Sequence, residues 1–176
     1  MDQHKLMKQI DFIRKGGITK RYHTKNTLKD NTVAHHSFGV AWMCYLLSEG
    51  RPSAALLVAA LAHDLAEQLT GDISSPTKRK FPVLAEMVQA MESEALEEHE
   101  LNLEPELTNQ EARVLKMADC MDGMLFCISE MELGNRSIYE VFRRYCDYVD
   151  ILRPTGREHR VFSAIRLLMV PHESER

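Results

Sequence analysis

Apolar residues recur along the chain at three- and four-residue intervals, and no stretch alternates apolar with polar residues as a half-buried strand would. The pattern predicts a helix over about 3–15 that stops at Gly16-Gly17. Residues 18–31, ITKRYHTKNTLKDN, are polar and basic and predict an ordered loop. Thr32 is placed to cap a helix running to about Glu49, after which EGRP breaks the pattern. Ser53 opens the next helix, whose apolar run AALLVAALA continues through HDLAEQL to about Leu69. The Gly, Ser and Pro of TGDISSPTKRKFP predict a loop, followed by an acidic, Met-rich helix from about Val83 to Glu100. Thr108 with Glu111 has the T-x-x-E form of a capping box and opens a helix from 109 to about 132. Ser137 with Glu140 repeats that form before a helix to about Asp150, and HRVFSAIRLLM is a last helix.

No internal repeat and no Gly/Ser-rich linker divides these elements, so the expectation is one compact all-α helical bundle over 1–176. With 44% hydrophobic and 27% charged residues and a net charge of -4, the chain lacks the basic surplus of a nucleic-acid-polymer binder. A small anion held by a few local cations is still compatible with that charge. Cys44, Cys120, Cys127 and Cys146 form no C-x-x-C pair and are read as reduced, mostly buried thiols of a cytoplasmic protein. The N-terminal MDQHKLMKQIDFIRK carries charges throughout, unlike a signal peptide, and the longest apolar run is too short to span a bilayer.

The chemistry concentrates in ALAHDLAEQLTGD. On a continuous helix His63 and Glu67 would share a face, with Asp64 one turn from Glu67. Burying such groups after an apolar run without partners would cost several kcal/mol. An isolated His-Asp pair is more often a satisfied core histidine and an ion-paired carboxylate. Asp119, on another apolar helix, and His36, on a third, change that balance. Three helices sending such ligands inward is how bundles form metal sites. Two imidazoles and two carboxylates suit a divalent transition metal better than Ca or Mg.

The order H … HD … D resembles the HD-domain metal-dependent phosphohydrolases. VAHHS, HDLAEQLTGDISSPTK and VLKMADCMDG are similar to stretches of bacterial 5′-deoxynucleotidases and of small phage dATP triphosphohydrolases. The resemblance implies His36, His63, Asp64 and Asp119 as ligands of one divalent metal (Zn, Co or Mn), with Mg allowed in a second site. It implies Glu67 and Asp72 as the catalytic acids, jointly orienting water and moving protons. Arg21 and Lys78 match the phosphate-gripping positions, and Tyr22 stands where relatives carry an aromatic, for stacking on base or sugar or for packing. Relatives carry a glutamate before the ligand histidine; here it is His35, a possible neighbour of the metal shell.

The function so implied is hydrolysis of a deoxynucleotide, favoured as a dATP-type triphosphohydrolase. The alternative is a 5′-deoxynucleotidase acting on monophosphates; a catalytically dead nucleotide-binding regulator ranks lower, since all ligands and acids are present. A homo-oligomer, dimer or larger, is expected from the resemblance, without membrane or nucleic-acid partners. Met87, Met91, Met117, Met121 and Met124 are read as core filler, and Trp42 as a core or interface anchor. Arg79 and Lys80 are read as solvated, His23 as near phosphate, and His4, His99, His159 and His172 as outside the site.

Overall fold

A computed structural model describes residues 2–101, 103 and 105–169; His172 lies outside them. Its elements are α1 (Gln3–Gly17), α2 (Val33–Leu47), α3 (Ala54–Ala62), α4 (Glu67–Thr70), α5 (Ser75–Lys80), α6 (Pro82–Glu98), α7 (Asn109–Glu132), α8 (Tyr139–Ile151) and α9 (Gly156–Leu167). A 3-10 turn covers Arg136–Ile138, and among the described residues the one β pairing is an isolated bridge between Lys20 and Thr32. The all-α expectation holds.

Helix α7 is the hub, touching α2, α3, α8 and α9. Its Met117, Met121, Met124 and Cys127 are fully buried against Val40 and Cys44 of α2 and Leu56 and Ala60 of α3. A smaller apolar cluster joins Phe12 of α1, Leu65 and Ala66, and Ala95 and Leu96 of α6. Caps fall where the sequence places them at Thr32, Ser53 and Thr108, the last as a full capping box with Glu111. No helix among the described residues is long and apolar enough to cross a membrane.

Several elements differ from the sequence expectation. Helix α1 continues through Gly16, which is buried against Leu65: a Cβ there would lie 2.4 Å from Leu65 Cδ1, so this glycine serves close packing, not termination. The helix after Ser53 ends at Ala62, and His63–Ala66 tighten into turns in which Leu65 N–H donates to Ala62 and Glu67 N–H to Asp64. The stretch 71–81 contains α5, begun with Pro76 in its first turn, where a missing N–H is harmless. Ser137 caps nothing and instead donates to Asn135, while the last capping box belongs to Thr155 and Glu158. Met87 and Met91 are exposed rather than core, as is Trp42, which meets Phe38 and Tyr45 edge-on along α2.

The loop 18–32 is tied at both ends and in the middle. Arg21 N–H donates to Asn31 O (2.9 Å) and Val33 N–H to Thr19 O (2.9 Å). Glu130 of α7, fully buried, accepts from Leu28 N (2.7 Å), Lys29 N (2.8 Å) and Asn135 Nδ2 (2.7 Å). Glu130→Ala leaves those donors without their acceptor and is expected to cost about 1–3 kcal/mol. Urea unfolding of the two proteins measures the loss, and an unchanged midpoint would contradict the clamp.

Candidate active site

His36 and Gly39 lie one turn apart on α2 and face Asp119 and Asp122, one turn apart on α7. His36 is buried with both ring nitrogens engaged. Nδ1 lies 2.7 Å from Asp122 Oδ2, and Nε2 lies 3.2 Å from Asp119 Oδ1. His63, on the turn after α3, has Nδ1 3.0 Å from Ala60 O, and its Nε2 comes 3.3 Å from His36 Nε2. Asp64 Oδ2 is 3.4 Å from His63 Nε2 and 3.7 Å from His36 Nε2, and it also pairs with Arg21. The tightening of His63–Ala66 aims His63, Asp64 and Glu67 into one space.

Donor chemistry tests whether a metal fits here. A carbonyl and a carboxylate can only accept, so each histidine's Nδ1 carries a proton, and the neutral ring presents a lone pair at Nε2. Two such lone pairs face each other beside carboxylate oxygens, an arrangement that calls for an electrophile between them. Donors at ~2.0–2.1 Å around a tetrahedral ion are themselves about 3.3 Å apart, close to the separations found. His36, His63 and Asp119 place their ligand atoms within 4.8 Å of one another, and Asp64 borders them. The residues fit a divalent cation.

In the metal-free cluster the same pull on positive charge acts on a proton. Burial works against a charged His36, but its hydrogen bonds to Asp119 and Asp122 outweigh this and push it up to about 9. Asp119 is held well below the carboxylate range: burial opposes this, and the His36 bond and the Lys116 charge win. Asp64 is lowered likewise, against its burial, by His63 and Arg21. Glu67 goes the other way, pushed up to about 9 by burial and by the Asp64 and Asp72 charges, which exceed the relief from Arg21 and Lys78.

Above the cluster opens a cavity of about 400 Å³ lined by Arg21, Tyr22, Asp64, Glu67, Asp72, Lys78 and Asp119. Arg21 has its Nε buried and unpartnered, as is Glu67 Oε2. Glu67 Oε1 lies 3.6 Å from Lys78 Nζ. Asp72 Oδ2 accepts the Tyr22 N–H at 3.2 Å. Tyr22 sits at φ +55, a conformation costly for a bulky residue, with its ring on Phe126 and its hydroxyl 2.9 Å from that of Tyr145.

Thus nine of the ten sequence candidates gather at this cavity or its floor, and His35 does not. It is exposed, with its ring nitrogen near the Thr32 hydroxyl (3.3 Å). Arg79 and His23, read as solvated and as near phosphate, both line the cavity. Sequence reasoning missed Asp122, Lys116 (2.9 Å from Asp119 Oδ2), Tyr145, Tyr148 and Arg144. For Asp122 and Lys116 a signal existed, since each stands three residues from Asp119 on one helix.

With the geometry in place, comparison with known proteins identifies the kind. The model of the YfbR-like 5′-deoxynucleotidases matches residues 8–162. A 5′-deoxynucleotidase of Vibrio vulnificus is 27% identical, over 67% of this chain and 72% of that protein, and one of Vibrio atlanticus is 24% identical over 78% and 84%. Among solved structures, an HD-domain phosphohydrolase from Listeria innocua superposes with TM-score 0.76 at 19% identity, covering 96% of this chain and 90% of that one. The HD phosphohydrolase of cyanophage S-2L, bound to dA and one catalytic zinc ion, gives 0.69 at 18% identity with 96% of each chain covered.

The raised Glu67 makes a prediction for the metal-stripped protein. Folded Glu67 holds its proton more tightly than the unfolded chain, so its contribution to stability is complete below about 4.5 and is lost as pH rises toward about 9. Glu67→Gln removes this loss, so its melting-temperature advantage over the parent should widen between pH 5.5 and 8.5. A constant difference across that range would contradict the assignment.

Proposed function

The chain belongs to the YfbR-like 5′-deoxynucleotidase family of HD-domain phosphohydrolases, and from that premise we propose that it hydrolyses deoxynucleoside 5′-monophosphates to deoxynucleoside and phosphate. The observation carrying this reading is the convergence of His36, His63 and Asp119 under a cavity that also presents Arg21, Glu67 and Lys78. The favoured reading from sequence, dATP triphosphohydrolysis, gives way to its alternative because the family and the curated relatives bear the monophosphate activity in their names.

His36, His63, Asp64 and Asp119 would hold one divalent transition metal. Such an ion supplies Lewis acidity and positive charge beside the phosphorus. Arg21 and Lys78, which line the same cavity, neutralise phosphoryl oxygens. In the metal-free site burial and the Asp64 and Asp72 charges push Glu67 up to about 9, and its Oε2 is unpartnered, so we assign it to protonate the departing 5′ oxygen. Asp72, engaged with the Tyr22 backbone, is read as fixing the substrate loop instead. Tyr22 offers its ring edge and hydroxyl to the sugar or base.

One observation favours keeping triphosphate as a second reading: Lys25, Arg79, Lys116 and Arg144 line the same cavity and exceed what a monophosphate needs. A homo-oligomer is also proposed, supported by the exposed, uncharged face of Phe38, Trp42 and Tyr45 on α2 with Val58 and Leu61 on α3; sedimentation measures it.

Assaying dAMP, dGMP, dATP and their ribonucleotide counterparts with Mn, Co, Zn and Mg should release inorganic phosphate from the deoxy monophosphates. Triphosphate as the product would reinstate the second reading. Chelation should abolish turnover, as should Asp64→Ala. Glu67→Ala should keep the metal and lose roughly 10²–10⁴ in kcat; an unchanged kcat would remove Glu67 from the chemistry.

A further inference from the structure

The His36 ring has a second carboxylate partner, which stands in VLKMADCMDG but belongs neither to the H … HD … D set nor to the ligands. Asp122 Oδ2 lies 2.7 Å from His36 Nδ1, on the edge of the ring opposite Nε2. Its side chain is 15% exposed, so this contact is made largely out of water. Space for it comes from α2 itself. A Cβ on Gly39 would lie 1.8 Å from Asp122 Oδ1 and 2.7 Å from its Cγ, so any side chain at 39 would evict the carboxylate. His36 and Gly39 on one helix and Asp119 and Asp122 on the other thus mesh as a pair of one-turn spacings.

We propose that Asp122 is the positioning residue of the metal centre: seated in the notch at Gly39, it fixes the orientation and the Nδ1–H tautomer of His36, so that Nε2 faces the ion. The inference rests on the metal-site reading above. The consequence is chemical. A neutral imidazole has two tautomers, and only the one protonated at Nδ1 can ligate through Nε2. His63 is set by the Ala60 carbonyl, which is backbone and cannot be lost by substitution. His36 depends on a side chain from another helix. The position before it holds the outward-facing His35, and the carboxylate serving this ring comes from α7.

Zinc affinity of the full chain, measured by competition with a chromophoric chelator, tests the proposal together with the visible spectrum of the cobalt-loaded protein. Asp122→Ala should weaken zinc binding about 10- to 100-fold and alter the cobalt spectrum. Its kcat should fall at saturating metal with KM for the nucleotide unchanged. Gly39→Ala, which leaves Asp122 in the sequence but takes its space, should do the same. Asp122→Asn keeps an oxygen that accepts the Nδ1–H and should recover most of the affinity. Parent-like affinity and spectrum in Asp122→Ala would overturn the proposal; should that variant not fold, the same result in Gly39→Ala would. His63→Ala separates the two levels. Loss of zinc there with parent-like binding in Asp122→Ala rejects only Asp122, whereas parent-like binding in His63→Ala rejects the metal centre and the proposal with it.

Discussion

The seam between α2 and α7 imposes the condition that the rest of the molecule answers to. Below it, Val40 and Cys44 meet Met117, Met121 and Met124 in a fully apolar contact. Beside it, one turn before Val40 on α2 and interleaved with those methionines on α7, that packing drives His36, Asp119 and Asp122 together out of water, and the turn after α3 adds His63, Asp64 and Glu67. Arg21 and Lys116 each answer one carboxylate. In the metal-free cluster a proton on His36 answers the remaining negative charge, in the place that a divalent cation would take. A cation held there would couple loading to folding through one seam, since a charge cluster of this kind is costly when left unbalanced.

Substrate contacts are delivered by other means. Arg21 and Tyr22 ride on a loop with almost no regular pairing, and its order is borrowed from groups elsewhere in the chain. Glu130 holds two of its backbone amides, Asp72 holds a third, and Tyr22 is pinned in a strained backbone by Phe126 and Tyr145. Strain kept by three independent contacts marks a residue whose placement is worth its conformational cost.

Much of this was legible in the sequence. Helical periodicity and the caps at Thr32, Ser53 and Thr108 reveal the bundle, because both are local properties. Hidden features depend on contacts between distant segments. HDLAEQL keeps a helical pattern of apolar residues, so the tightening at His63–Ala66 leaves no mark on periodicity. Ser and Pro in SSPTK signal a loop as readily as the first turn of α5. Ser137 and Glu140 have capping-box spacing, but the 3-10 turn occupies that position. Spacing places Asp122 on the helix face of Asp119, but its pairing with His36 is hidden because it requires Gly39, 83 positions away in the sequence, to be bare.

This division of labour explains why a motif that identifies the chemistry leaves the substrate open. The H … HD … D residues sit on the seam and its adjoining turn, where any phosphoryl group must come. Further out the cavity is lined by Lys25 on the loop, Arg79 on α5, Lys116 on α7 and Arg144 on α8, the cations that a longer phosphate chain would have to reach. Arg144 pairs with Glu140 of its own helix, and Lys116 spends its charge on Asp119. Cations already engaged in this way must exchange partners before they can hold a distal phosphate. Arg21 is shared in the same way, between Asp64 and the cavity it lines. Ion pairing alone therefore does not separate a single phosphate from a longer chain, and the monophosphate reading is placed first because of the family to which the chain belongs.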